Sequence, residues 1–140
     1  MSSDNLGFLL GDVSRLLRRT FKKQMGDFPL SFEQVRVLVH ISRKEGIRQV
    51  DLADLLDVQP ISLVHQIDQL ADNGLVERRS DPTDRRAYQL FLTKAAAPHL
   101  SAIEKIAAEI QADMFRGLSK QEVSLVLSSL RIVRENLASR

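Results

Sequence analysis

Arginine and lysine residues concentrate in two stretches of this 140-residue chain, and binding of phosphate groups is the chemistry that such clusters support. The second stretch, residues 78–94, holds five basic residues against two acidic ones. A cluster of this kind can also be no more than a solvated surface, and both interpretations stay open for the first stretch, residues 15–23. The first stretch has five basic residues within nine positions and no acidic residue: Arg15, Arg18, Arg19, Lys22 and Lys23.

Short polar side chains recur along a predicted helix that begins at Pro60 and ends at Asn73-Gly74. Apolar residues at three- and four-residue steps, among them Leu63, Ile67 and Leu70, form the buried side of this helix. Serine, histidine and glutamine can hydrogen-bond to base edges, and glutamine can bind adenine through two bonds. The same residues could instead only keep an outer helix face soluble. The candidates for base recognition are Ser62, His65, Gln66 and Gln69.

The residue patterns of common enzymes and metal sites are missing from the sequence. It contains no cysteine, and His40, His65 and His99 are too widely spaced for an HExxH site. No glycine-rich phosphate-binding loop is present. We therefore expect no catalytic activity, no metal and no cofactor, and sensing through a cysteine thiol is excluded.

Composition indicates one ordinary globular domain, since 44% of the residues are hydrophobic, 27% are charged and the net charge is +2. The lack of cysteine suits a reducing compartment. No apolar run approaches the roughly 18 residues of a membrane span, and residues 1–5 lack the pattern of a signal peptide. We expect a cytoplasmic protein that does not bind membranes.

Apolar periodicity predicts helices over about residues 5–25, 31–44, 49–56 and 60–73, a further helix after Lys94, and a last one after Ser119. Ser31 with Gln34, and Ser119 with Glu122, have the spacing of capping boxes. The last helix repeats apolar residues at alternating steps of three and four, which favours lengthwise packing on a partner. Intermolecular packing with the first and fifth helices is the expected arrangement.

A β-hairpin is predicted between residues 75–79 and 87–93, connected by residues 80–86. Asp81-Pro82 suits the first two positions of a type I turn, because the aspartate can accept a bond from the backbone ahead and proline presets φ. Alone, the two helices before this hairpin could form any αα-hairpin. A helix-turn-helix followed at once by a basic hairpin predicts a winged helix, so the fold class is mainly α with a small β-hairpin wing.

The run Gly74-Leu75-Val76-Glu77-Arg78, followed by Asp84-Arg85-Arg86 and Leu92-Thr93-Lys94, resembles the MarR family of bacterial transcription regulators. The resemblance extends over nearly the whole chain through the order of its helices. It implies a dimeric winged-helix protein that binds DNA, often a repressor released by a small aromatic or phenolic ligand. Ala95–Ala97 stand where many members have a glycine, and His65 stands where an arginine is common, so base preference can differ.

Each part of such a winged helix has an expected role on DNA. The helix with Ser62, His65, Gln66 and Gln69 reads the major groove, and Arg86 at the wing enters the minor groove. Asp84 is placed to pair with the guanidinium of Arg86 and orient it. Phosphates are expected to be bound by Arg78, Arg79 and Arg85.

The predicted single domain, residues 1–140, comprises a DNA-binding lobe at about 31–93 and helical dimerisation segments at about 1–28 and 94–140. Two copies would read a pseudo-palindromic site on double-stranded DNA. The resemblance also suggests an effector pocket where the first, second and fifth helices meet the DNA-binding lobe, with the cluster from Arg15 to Lys23 available to an anionic group. The alternative function is a winged-helix module that binds another protein without specific DNA binding.

Overall fold

The computed structural model describes residues 5–140, and in that range the chain forms six helices and one two-stranded antiparallel sheet. The mainly helical chain with one β-hairpin agrees with the fold predicted from the sequence. Met1–Asp4, which contributed to the argument against a signal peptide, lie outside the described residues. The elements are α1 Leu6–Met25, α2 Phe32–Arg43, α3 Gln49–Leu56, α4 Pro60–Asp72, β1 Val76–Asp81, β2 Asp84–Leu92, α5 Ala96–Met114 and α6 Lys120–Ala138.

Side-chain caps begin two of the helices as the sequence predicts. Ser31 Oγ accepts a bond from the Gln34 backbone N–H at 3.1 Å, and the Gln34 side chain accepts one from the Ser31 backbone N–H at 2.9 Å. Ser119 and Glu122 form the same reciprocal pair at the start of α6. Gln59, expected as a weak cap for α4, makes no capping bond, and α4 begins with Pro60, which has no N–H to satisfy.

The hairpin is longer than predicted, because both strands continue to the turn at Pro82-Thr83. A short third segment also joins its outer side: Arg48 bridges to Gln89, the Gly46 N–H donates to Leu90 O, and the Leu90 N–H donates to Ile47 O. The extended piece predicted at Ile47-Arg48 is therefore an edge of the sheet. It joins the start of α3 directly to the wing.

One apolar core lies between α2, α3, α4 and the sheet. Its fully buried side chains come from all four elements: Leu38, Ile41, Leu52, Leu63, Ile67, Leu70 and Leu90. Because interiors are packed as densely as organic crystals, such a shared core leaves little freedom for one element to move against another. The orientation of α4 relative to the hairpin is therefore determined by packing.

The chain divides into two compact units, one up to Ala107 and one from Ala108 onward, so that α5 contributes to both. The predicted separation into a DNA-binding lobe and dimerisation helices is a functional division and stays a prediction. Within residues 5–140, no helix has the length and apolar character needed to cross a membrane. Large apolar side chains are exposed along α1, including Phe8, Leu9 and Leu16, and separately along α6, including Leu125 and Ile132.

Candidate nucleic-acid interface

The residues of α4 that are buried in the core determine which side of this helix is exposed. Leu63, Ile67 and Leu70 are buried, and a helix of 3.6 residues per turn then directs Ile61 and His65 to the opposite side. Both are exposed, and Ile61 is 80% accessible. The side of α4 that is available to a ligand therefore carries an isoleucine next to the predicted histidine.

Gln66 points toward α2 rather than outward. It is only partly buried as a residue, but its Oε1 atom is inaccessible and has no hydrogen-bond partner within the described part of the chain. Together with Ser62 it lines a small, mostly apolar cleft of about 120 Å³ between α2, the end of α3 and α4. The prediction that Gln66 shares one outer face with His65 is wrong, because its position places it beside the core residues of α4.

Gln69 is exposed but already engaged by neighbouring side chains. Its Oε1 accepts a bond from Gln34 Nε2 at 3.0 Å, and its Nε2 lies 3.2 Å from His65 Nε2. The second contact joins the Gln69 amide group to the His65 ring. Gln69 would have to release Gln34 and His65 before it could bind adenine through two bonds.

The turn of the hairpin is organised by a carboxylate. Asp81, only 5% exposed, accepts bonds from the Thr83 N–H at 2.8 Å and the Thr83 hydroxyl at 2.7 Å. Its other oxygen accepts from Arg48 Nε at 2.7 Å. The predicted forward bond from Asp81 is confirmed. The hydrogen bonds from Thr83, followed by the Arg48 guanidinium, hold the pKa of Asp81 below its ordinary value.

Arg85 and Arg86 lie in an irregularity of β2. Ser80 pairs with Tyr88 and Asp81 pairs with Asp84, which leaves residues 85–87 without partners on β1. A bulge of this kind redirects side chains and increases local twist. Both arginines are exposed, and neither takes part in an ion pair with any described residue. Their guanidinium groups are available to an external anion.

Asp84 acts on the backbone of Arg86 and not on its side chain. The Arg86 N–H donates to Asp84 Oδ1 at 3.0 Å, and no ion pair joins the two side chains. The expected Asp84–Arg86 ion pair is therefore absent. The physical reason is the short spacing, which favours a turn-like bond from the backbone two residues ahead.

Arg78 is held within the protein, with its side chain 23% exposed. Its guanidinium lies 2.7 Å from Asp68, its Nε donates to Gln49 at 2.9 Å, and its Nη2 donates to Val64 O at 3.3 Å. These contacts join the hairpin to α4 and to the start of α3. The geometry therefore gives Arg78 an internal connecting role, in contrast to the phosphate contact expected from the sequence.

Arg79 is also partly engaged, although it remains at the surface. Its Nε lies 3.2 Å from Glu77, and its guanidinium lies over the Phe91 ring at 3.9 Å from the ring centre. Stacking on the ring restrains the side chain along the strand. Among the four wing arginines predicted to contact DNA, the structure leaves Arg85 and Arg86 with the greatest freedom.

Sequence reasoning missed three residues that position this surface: Arg48, Gln34 and Gln49. Each acts across the fold, since Arg48 is 33 residues from Asp81, Gln34 is 35 from Gln69, and Gln49 is 29 from Arg78. No local spacing could have indicated these partners. Ile61 was also missed, although its place opposite the apolar stripe of α4 could have been read from helical periodicity.

A second cleft, of about 430 Å³, lies between α1, α2 and the first turns of α5. Its aromatic wall is Phe21 and Phe32, and its basic groups are Arg36, Arg43 and His40. No residue of the cluster predicted to serve an anion is among the residues that line this cleft. The cations of Arg18 and Lys22 nevertheless lie 5.4 and 5.7 Å from the centre of the Phe32 ring, which is part of its wall. The basic side chains that line the cleft are thus different from those expected.

The chain is similar in sequence and fold to MarR-family proteins. The MarR family model matches residues 30–88. A MarR crystal structure is 28% identical with a TM-score of 0.88, covering 99% of this chain and 95% of that one. A MarR transcriptional regulator from Methanosarcina mazei Go1 is 27% identical with a TM-score of 0.86, covering 96% of both chains. A MarR-family regulator from Rhodococcus sp. RHA1 is 25% identical with a TM-score of 0.83, covering 95% and 94%. The predicted winged-helix fold is confirmed.

Proposed function

The winged-helix lobe of this chain belongs to the MarR family, and on that premise we propose that the protein is a dimeric, sequence-specific repressor of transcription that a small molecule releases from DNA. The family match and the fold support a DNA-binding regulator of transcription. The dimer, the repressor role and the release by ligand are our proposals.

One observation carries the DNA-binding proposal: α4 and the arginine-bearing wing are held together around one core and by Arg78. Its contacts to Asp68 and Val64 of α4 span from the hairpin to the helix. A helix of this type fits the major groove, and an arginine at a hairpin can enter the adjacent minor groove. The available guanidinium groups of Arg85 and Arg86 support the second contact.

The dimer proposal rests on apolar surface that a single copy leaves in water. α6 exposes Leu125, Val126, Ile132 and Leu137, and α1 exposes a comparable set. Exposed apolar residues on one side of a long helix are typical of a surface that packs on a partner. Two copies would place their α4 helices about one DNA turn apart, roughly 34–36 Å.

The ligand proposal rests on the cleft between α1, α2 and α5. Two phenylalanines supply an apolar wall, and Arg36 and Arg43 supply hydrogen-bond donors. His40 also lines the cleft, and its Nδ1 donates to Arg36 O at 2.7 Å, so that nitrogen is not available to a ligand. A small aromatic molecule with an acidic group suits such a site, because the ring and the anion find complementary partners.

The experiment that tests the proposed function is selection of bound duplexes from a random-sequence DNA library by the full chain. We expect an inverted repeat whose half-sites are about 10–10.5 base pairs apart, bound by two copies. An Arg85→Ala, Arg86→Ala double variant serves as the control and should enrich the same motif weakly. Recovery of unrelated sequences, or of no sequence at all, would contradict specific DNA binding.

A further inference from the structure

Ile61 is the most exposed of the large apolar side chains described in residues 5–140, at 80% accessible. It is the second residue of α4, directly after Pro60. Recognition helices of the helix-turn-helix type contact base edges mainly with their N-terminal residues. An aliphatic side chain therefore stands where polar base-reading groups are ordinarily expected.

Two nearby polar residues of α4 are directed elsewhere or are already hydrogen-bonded within the protein. Gln66 faces the cleft toward α2, and Gln69 is bonded to Gln34 and His65. Ile61 lies one helical turn before His65 on the same side of α4. The outward surface of the first turn of α4 is thus an isoleucine flanked by Ser62 and followed by His65.

In the major groove, an isoleucine side chain is chemically suited to contact only one of the four bases. In the major groove only thymine presents an apolar group, its C5 methyl, whereas the other bases present donors and acceptors that an aliphatic side chain would leave without partners. Burying an isoleucine against a cytosine amino group or a guanine oxygen would carry that cost. Against a thymine methyl, both surfaces lose contact with water.

From this we infer that Ile61 is a specificity-determining residue that contacts a thymine C5 methyl in the major groove, once in each half-site of the bound DNA. The inference rests on the proposed function, and it adds a base preference that the polar residues of α4 do not supply. It also states which atom of the DNA is recognised.

The test removes only that methyl group. Duplexes selected from random DNA by the unaltered protein are resynthesised with deoxyuridine in place of thymine at one symmetric pair of positions at a time. At the pair of thymines that Ile61 contacts, we expect the affinity to fall about fourfold for each methyl group removed, and so roughly 16-fold for both half-sites. At the other thymines the change should be small.

The variant Ile61→Ala shows whether residue 61 causes the loss. It should bind the thymine and deoxyuridine forms of that site equally, and its own selection from the same library should lose the thymine preference at that pair. Ile61→Val, which keeps a branched apolar side chain, should remain sensitive to deoxyuridine. Leu55→Ala, which truncates an exposed leucine on α3, is the matched control and should keep the full sensitivity.

The outcomes separate this inference from the proposed function. If the unaltered protein selects an inverted repeat but no thymine shows a deoxyuridine effect that depends on residue 61, the inference is wrong and the proposed function stands. If no motif is selected, both are wrong. A deoxyuridine effect of equal size in Ile61→Ala also overturns the inference.

Discussion

At the scale of single residues, neighbouring arginines of one hairpin have different tasks. Arg86 is exposed in the irregular part of β2, and its backbone is held by Asp84. Arg78 is enclosed by Asp68, Gln49 and Val64 O. The charge is identical in both, but only Arg86 can reach an external phosphate or groove without breaking contacts inside the protein.

Replacing Arg86 with alanine should weaken binding to a selected DNA site by roughly 1–3 kcal/mol, because a specific contact in the minor groove is lost. Fluorescence anisotropy with labelled duplex measures the change. Arg116→Ala, an exposed arginine on the unit that begins at Ala108, is the matched control and should bind DNA normally. Equal affinities for the Arg86→Ala variant and the unaltered protein would remove Arg86 from the interface.

Replacing Arg78 should act through protein geometry and not through a phosphate. Arg78→Ala should lower DNA affinity and thermal stability, since it removes the bonds to Gln49, Val64 O and Asp68 that join the hairpin to α3 and α4. The slope of log affinity against log salt concentration should stay unchanged. Arg85→Ala, the matched comparison, should reduce that slope by about one phosphate contact. A reduced slope for Arg78→Ala would restore the phosphate role expected from the sequence.

At the scale of elements, the helices were largely predictable and the hairpin was less so. Periodicity and the capping pairs at Ser31 and Ser119 are local signals, and the observed helix bounds follow them. The strands were predicted too short because residues 80–86 contain proline and polar residues typical of loops. At the end of β1, Asp81 is also bonded to Arg48 from across the fold, a contact that no local pattern indicates.

The contrast between local sequence signals and contacts across the fold also explains which features of the candidate interface could be predicted. The position of α4 beside a basic wing was predictable, because both were evident from neighbouring residues. The contacts of Arg78 and Gln69 were not, since their partners lie on other elements. The DNA-contacting roles of Ser62, His65 and Arg85 stay predictions.

The wing turn should lose stability in acid. The pKa of Asp81 is lowered by Thr83 and Arg48, so its stabilising effect is complete above the ordinary value of about 3.9 and is lost as pH falls through the folded-state pKa. Asp81→Asn should therefore be less stable than the unaltered protein near pH 7, with the difference shrinking below about pH 4. Urea unfolding at several pH values measures this.

Thr83→Val provides a graded comparison for that experiment. It removes the hydroxyl bond to Asp81 and keeps the backbone bond, so its pH dependence should lie between those of the unaltered protein and Asp81→Asn. A free-energy difference between Asp81→Asn and the unaltered protein that is constant from pH 7 to pH 3 would contradict the role assigned to Asp81.

At the scale of the whole molecule, DNA affinity should depend on association of two copies. Ile132→Glu places a charge on the exposed apolar surface of α6 and should weaken dimerisation by about 30-fold or more, the effect typical of a central interface residue. Sedimentation velocity over a concentration series measures it, with Ser124→Glu, which adds the same charge at an exposed position of the same helix, as the control. A dimer as stable as that of the unaltered protein would place the interface elsewhere.

Hydroxyl-radical footprinting on a selected duplex tests most directly whether paired copies present α4 to the major groove and the wing to the minor groove. Two equivalent protected regions should appear about one helical turn apart, with flanking minor-groove protection that disappears in Arg86→Ala. A single protected region, or flanking protection unchanged by Arg86→Ala, would contradict that arrangement.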